Sequence, residues 1–173
     1  DLMFFPDGSD FTIKDVVTSF QHFKPTSAFR TQFDYDNLLY IVAGEVIARA
    51  SGMSYEQFVQ KRIIEPLQMN NSFVGSLLKD KSNLASPHSS ESGTIKIIDA
   101  YDIGMGSAAG GIYSNVADMS KWMLTQLNKG KYGTDLKSSL FSLENHYEMW
   151  RIHTVTGGSR NPRYASHFSG YGL

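Results

Sequence analysis

Tyr35 and Asn37 stand two positions apart in Phe33-Asp34-Tyr35-Asp36-Asn37, directly ahead of the apolar run Leu38-Leu39-Tyr40-Ile41-Val42-Ala43-Gly44-Glu45-Val46-Ile47. A phenol and a carboxamide offer hydrogen-bond donors and acceptors. Held at the mouth of a buried helix, such a pair is well placed to face a cleft. Taken alone it has a plainer reading, with Tyr35 as a half-buried packing aromatic and Asn37 as a helix-start residue. Ser76-Leu77-Leu78-Lys79 has the hydroxyl–amine spacing of a nucleophile motif. A serine-rich chain of this size yields roughly one such match by chance, however. Lys131-Tyr132-Gly133 has Lys-x-Gly spacing but follows Asn128-Lys129-Gly130, which predicts a helix-exit turn rather than a strand. Ala109-Gly110-Gly111 is either a tight turn or a place where backbone can approach a ligand closely. His22, His88, His146, His153 and His167 are scattered, without the close pairing of a metal-binding helix, so no metal or cofactor is expected.

The elements that must hold these residues are helices. From Asn37 to Ala50 the apolar positions Leu39, Val42, Ala43, Val46, Ile47 and Ala50 follow three-and-four spacing, with Gly52 able to end the helix. Thr12-x-x-Asp15 resembles a capping box and predicts a helix over about 12–22. Ser54-Tyr55-Glu56-Gln57 is a second box, opening a helix that Glu65-Pro66 stops. Ser114-Asn115 caps a third strong helix with Val116, Met119, Trp122, Met123 and Leu127 on its predicted core face and Gly130 past its end. A weaker helix is expected near 143–150, a short strand at Thr94–Ile98, a mobile loop over 80–93, and loop or turn from Asp102 to Gly111. Lys24 to Gln32 reads as a connecting segment in which Arg30 is a solvated charge.

Composition narrows the classes. A net charge of −1 leaves no basic face to recommend nucleic acid or anionic lipid as a partner. With no cysteine there is neither a disulfide nor thiolate chemistry. No apolar run approaches the roughly 18 residues of a membrane helix. The chain opens abruptly at Asp1-Leu2-Met3 and closes on Tyr171-Gly172-Leu173, so both ends read as cuts and 1–173 as a single truncated domain.

Several segments in order carry a family resemblance. They are Phe29-Arg30, Tyr35-Asp36-Asn37-Leu38-Leu39-Tyr40, Ala43-Gly44-Glu45, Ser51-Gly52-Met53-Ser54, Ile64-Glu65-Pro66-Leu67-Gln68-Met69, Ala109-Gly110-Gly111-Ile112-Tyr113-Ser114 and Asp118-Met119-Ser120-Lys121-Trp122. Together they resemble the serine beta-lactamase family of the class C type, which includes penicillin-binding D,D-peptidases, D-aminopeptidases and esterases. The resemblance implies a helix-rich α+β fold, the helical lobe of a beta-lactamase/transpeptidase-like domain with its main antiparallel sheet largely absent. It implies that Tyr35 is the general base toward a serine and proton donor to the leaving group. Asn37 would hydrogen-bond the substrate amide and a lysine, and Ala109 and Gly110 would border the substrate cleft. A free phenol near pKa 10 is a poor base at neutral pH, but a nearby ammonium favours the phenolate.

That family's Ser-x-x-Lys lies upstream of the aligned region, and its His/Lys-x-Gly strand comes after a Tyr-Gly-Leu-Gly-Trp-like stretch. No nucleophile is therefore expected in these residues. Ser76 falls after the Pro-Leu-x-Met turn, where the family has none. The expectation is a parent serine hydrolase of a lactam, peptide or ester, bacterial and extracytoplasmic, whose fragment is inactive alone. Missing sheet segments or another chain would cover its exposed apolar surface. The alternative is a non-catalytic binding or scaffolding module on the same fold.

Overall fold

The computed structural model describes residues 10–75, 84–91, 93–100, 104–156 and 167–169. The capping box at Thr12 forms: the Asp15 N–H donates to Thr12 Oγ1 at 3.3 Å, and the Thr12 N–H donates to Asp15 Oδ2 at 2.8 Å. It opens α1 (Ile13–Ser19), which tightens into a 3-10 turn over Phe20–His22. Asp36, not Asn37, caps α2 (Asn37–Ser51), accepting from the Leu38 N–H at 2.8 Å. Gly52 ends α2 at φ 69°, in the left-handed region that glycine enters without steric cost. The Ser54/Gln57 box opens α3 (Tyr55–Val59), which widens into a π-helical turn over Gln60–Ile64 ahead of Pro66.

The helix α2 buries a different face from the predicted one. Its buried residues are Leu38, Ile41 and Gly44, whereas Leu39 and Val46 of the predicted stripe are 53% and 60% exposed. Ala43 and Ala50 are exposed as well, and Val42 and Ile47 are half-buried. The helix is apolar around most of its circumference, so three-and-four spacing admits more than one stripe. The choice is made by α4 (Ser107–Gly110), which comes after a 3-10 turn over Gly104–Gly106 where loop was expected. A Cβ added to Gly44 would lie 2.6 Å from the Cβ of Ala108. The small residues that read as turn thus let a short helix sit directly on α2. Gly44→Ala is expected to destabilise the protein by about 1–3 kcal/mol through overpacking. A urea midpoint equal to the wild type's would show that α4 is not seated there.

Among the described residues, two apolar clusters organise the fold. Val16, Leu38 and Ile41, with Ile13, Phe20, Met105 and Ala109 against them, join α1, α2 and α4. Val59, Ile64, Leu67, Met69 and Val74 form the second, flanked by Tyr55, Ile63, Trp122, Tyr132 and Leu140.

The third strong helix, α5 (Val116–Leu127), starts where predicted: Asn115 Oδ1 accepts the Asp118 N–H at 2.9 Å, and Gly130 lies past its end at φ 92°. Trp122 packs on the second cluster as expected. The rest of the predicted face does not. Val116, Met123 and Leu127 are 85%, 59% and 75% exposed, and Met119 is exposed too. Asp118, Thr125 and Gln126 are buried instead.

The cause is a polar junction. Asp118 Oδ2 accepts the Asn71 N–H at 2.8 Å and the Ser72 hydroxyl at 2.9 Å, while Lys121 Nζ donates to Asp118 Oδ1 at 3.1 Å and also to the Gln68 carbonyl. Ser72 and Ser114 share a further 2.7 Å hydroxyl contact. Fully bonded, a carboxylate can occupy a buried face, and its turn partners fix the rotation of the helix.

Among the described residues, strands occur as four separate two-stranded antiparallel ladders. They are β1 (Phe73–Val74) with β4 (Ile112–Tyr113), β2 (His88–Ser89) with β3 (Lys96–Ile97), β5 (Lys131–Tyr132) with β6 (Ser138–Ser139), and β7 (Thr154–Thr156) with β8 (His167–Ser169). The β3 strand lies inside the predicted Thr94–Ile98 segment, while β2 pairs within the stretch expected to be a mobile loop. Lys131 and Tyr132 form a strand, against the expected turn: the chain leaves α5 through Gly130 and immediately pairs with 138–139 across a turn where Gly133 has φ 86°. A last helix, α6 (Leu143–Met149), matches the weaker prediction. The architecture is helix-rich α+β, and a main sheet is not seen among the described residues. No helix among them is long and apolar enough to cross a membrane.

Candidate functional site

Tyr35 lies on the non-helical segment that delivers the chain into α2, and its side chain is 69% exposed. Asn37 is the first residue of the helix and half-buried. Between them Asp36 points its carboxylate back to the Leu38 N–H, so the residue separating the pair is committed to the cap. One position beyond Asn37, Leu38 is 7% exposed and locked into the first cluster, with Ile41 one turn further at 1%. The first turn of α2 thus anchors the pair, with Tyr35 left facing outward.

Ala109 packs against that same Val16–Leu38–Ile41 cluster, whereas Gly110 is exposed. The fold therefore seats the candidate cleft-border helix on the cluster that anchors the first turn of α2. Gly111 is sterically required at the helix end, because a Cβ there would lie 2.6 Å from Ser107 Cα. Its carbonyl accepts the Gly75 N–H at 2.7 Å, tying α4 to the strand exit after β1. Lys131 and Gly133 flank Tyr132, which packs on the second cluster instead. Ser76 and Lys79 lie outside the described residues.

A small cavity of about 110 Å³ lies between the helices, bordered by Ile41, Gly44, Glu45, Tyr55, Met105 and Ala108. That is the room of a few waters, well short of the roughly 300 Å³ from which ligand pockets start. Burial, and secondarily Glu56, pushes the Tyr55 phenol above its ordinary value, so it stays protonated and neutral there. The histidines sit on separate elements: His22 after α1, His88 on β2, His146 on α6, His153 beyond it, and His167 on β8.

The Asp118 junction was not legible as a unit. Asp118 and Lys121 were visible at helical i, i+3 spacing, but Ser72 lies 46 positions away in sequence. Burial alone would raise the Asp118 carboxyl; bonds from Ser72, the Asn71 N–H and Lys121 outweigh it and hold the group below its ordinary value. Its place is structural, fixing the turn after the π-helical segment against α5.

A family model described as Beta-lactamase matches residues 2–173. Among curated proteins, the Beta-lactamase of Escherichia coli (strain K12) is 26% identical over 65% of this chain and 29% of its own length. Unguisins hydrolase ungD of Aspergillus violaceofuscus is 31% identical over 70% of this chain and 23% of its length. Beta-lactamase-like protein 1 of Dictyostelium discoideum is 34% identical over 52% and 14%. Of solved structures, the octameric penicillin-binding protein homologue from Pyrococcus abyssi superposes with a TM-score of 0.68 at 27% identity, covering 86% of this chain and 31% of that one. A D-stereospecific amidohydrolase from Streptomyces gives 0.71 at 20% identity over 98% and 48%, which speaks to fold alone. The chain spans between 14% and 29% of the lengths of these three curated relatives. They include a fungus and an amoeba, so the match does not single out the expected bacterial source.

Proposed function

Because this chain belongs to the beta-lactamase family, we propose that the whole protein is a serine hydrolase that opens a lactam, peptide amide or ester through an acyl-enzyme. Tyr35 moves the protons and Asn37 orients the substrate. The observation that carries this reading is Tyr35 itself, a phenol 69% exposed immediately ahead of a helix mouth fixed by a cap and a cluster. A serine oxygen bonds to the substrate carbonyl carbon as its proton passes to the Tyr35 oxygen. The carbon–nitrogen or carbon–oxygen bond then breaks, and the phenol returns that proton to the departing amine or alkoxide. Water releases the acyl group by the same exchange. Asn37 offers both an amide donor and a carbonyl acceptor to hold the substrate amide. Ala109 and Gly110 border the cleft, with exposed Gly110 allowing close backbone approach.

The serine belongs to a Ser-x-x-Lys segment other than Ser76–Lys79. The test is incubation with a reporter cephalosporin and an activated ester, then mass mapping of the acylated peptide. The 173 residues alone are expected to turn over neither compound, and the whole protein to turn over at least one. Acylation at Ser76 would overturn the assignment of the nucleophile. Silence of the whole protein toward both substrates would favour a binding module on this fold.

A further inference from the structure

We propose that Phe33 is a specificity-determining residue of the same site, favouring substrates whose departing alcohol or amine carries an apolar or aromatic group; the proposal rests on the hydrolase reading above. Covalent geometry puts Phe33 beside Tyr35. Two residues apart, their Cα atoms are separated by no more than about 7 Å. The segment 33–36 is non-helical, and Asp36 at its end is extended, with φ −142° and ψ 110°. Successive side chains of an extended chain turn to opposite sides. Asp34 and Asp36 take one side, where they accept from the Thr26 hydroxyl at 3.5 Å and the Leu38 N–H at 2.8 Å. Phe33 and Tyr35 take the other, and are 48% and 69% exposed.

Phe33 holds nothing together among the described residues. It belongs to neither apolar cluster, and its ring stacks on no other aromatic there. Both acidic neighbours are already bonded, so the surface that Phe33 adds next to the phenol is apolar. A ring left half in water is stabilised by any apolar group that comes to rest on it.

The role of Tyr35 says which part of a substrate meets that ring. The phenol returns its proton to the departing amine or alkoxide, so that group lies against Tyr35 as the bond breaks. A substituent on the departing group therefore reaches Phe33, on the same side of the chain. An aromatic substituent gains an offset or edge contact beyond the area it buries.

The experiment uses the whole protein with the benzyl and methyl esters of one acyl group, read as kcat/KM. Phe33→Ala is expected to lower the benzyl-to-methyl ratio by about tenfold, the size that a lost aromatic contact and its buried area imply. Intrinsic reactivity of the two esters cancels, being the same for wild type and variant. The methyl ester alone should change by less than about twofold, since it has little apolar surface to lose. Both esters leave the same acyl-enzyme, so the rate of its hydrolysis should not change. Phe33→Leu should recover part of the ratio. An equal loss on both esters, or an unchanged ratio, overturns the assignment. So does a Phe33→Ala protein that does not fold, because the ring would then be packed inside the whole protein. Wild-type turnover of the methyl ester, lost in Tyr35→Phe, tests the hydrolase reading by itself. Turnover of neither ester by the wild type sinks that reading and the Phe33 proposal with it.

Discussion

Tyr35→Phe in the whole protein is expected to lower kcat/KM by about 10²–10⁴, the usual contribution of a positioned proton-transfer group, with no change in the unfolding midpoint. The two halves of that expectation come from different facts. On the proposed mechanism, the large kinetic effect comes from removing the one oxygen that would exchange protons with the serine and the leaving group. The absent stability effect comes from exposure: with the side chain 69% solvent-accessible, its hydroxyl holds nothing together. A stability loss as large as the kinetic one would mean that Tyr35 packs in the whole protein, and would remove it from the chemistry. Tyr40 supplies the control, because it is 49% exposed on the neighbouring turn of α2. Tyr40→Phe should leave kcat/KM unchanged.

Asp118→Ala is expected to cost about 1–3 kcal/mol of stability, since it strands the Asn71 backbone N–H and leaves the buried Ser72 hydroxyl only its Ser114 partner, both donors now sharing one carboxylate oxygen. Most of the loss is expected from those two donors. The ion pair with Lys121 adds little, because the lysine side chain is 41% exposed and screened by water. The pH dependence has a definite sign. The folded-state pKa lies below the ordinary 3.8. The stabilisation is therefore fully present above the unfolded value and is lost as pH falls through the folded one. Urea titrations between pH 3 and 7 should show the difference between wild type and Asp118→Asn shrinking in acid, below about pH 4. A difference that stays constant through that range would mean the carboxylate charge contributes nothing.

Exposed Asp15 and Asp135 are lowered as well, the first by hydrogen bonds from Thr12 and the second by hydrogen bonds from Lys137. The acid limb of the wild type alone is therefore not diagnostic. The difference between the two proteins is.

Helix starts and ends proved readable because they are local. Thr12/Asp15 and Ser54/Gln57 close their boxes within one turn, and Gly52 and Gly130 terminate helices by a backbone freedom that belongs to the residue itself. Family membership was readable for a related reason: short segments recurring in order need no knowledge of what they touch. Helix faces were not readable. An almost wholly apolar α2 carries no single stripe, and the partner that selects Leu38, Ile41 and Gly44 is a four-residue helix that composition alone reads as turn. The predicted face of α5 failed because a buried carboxylate with distant partners outweighed the apolar pattern beside it. The β5 strand was missed because two residues gain strand character only from the segment that returns to pair with them.

By itself, then, the sequence determined the caps, the helix order, the family, and the placing of Tyr35 and Asn37 at a helix mouth, all set by residues close together along the chain. Only the tertiary structure decided which helix faces are buried and that Tyr35 stands open to solvent. Those outcomes depend on which distant groups arrive within a few ångströms, and the energies of burial and hydrogen bonding act only at that range.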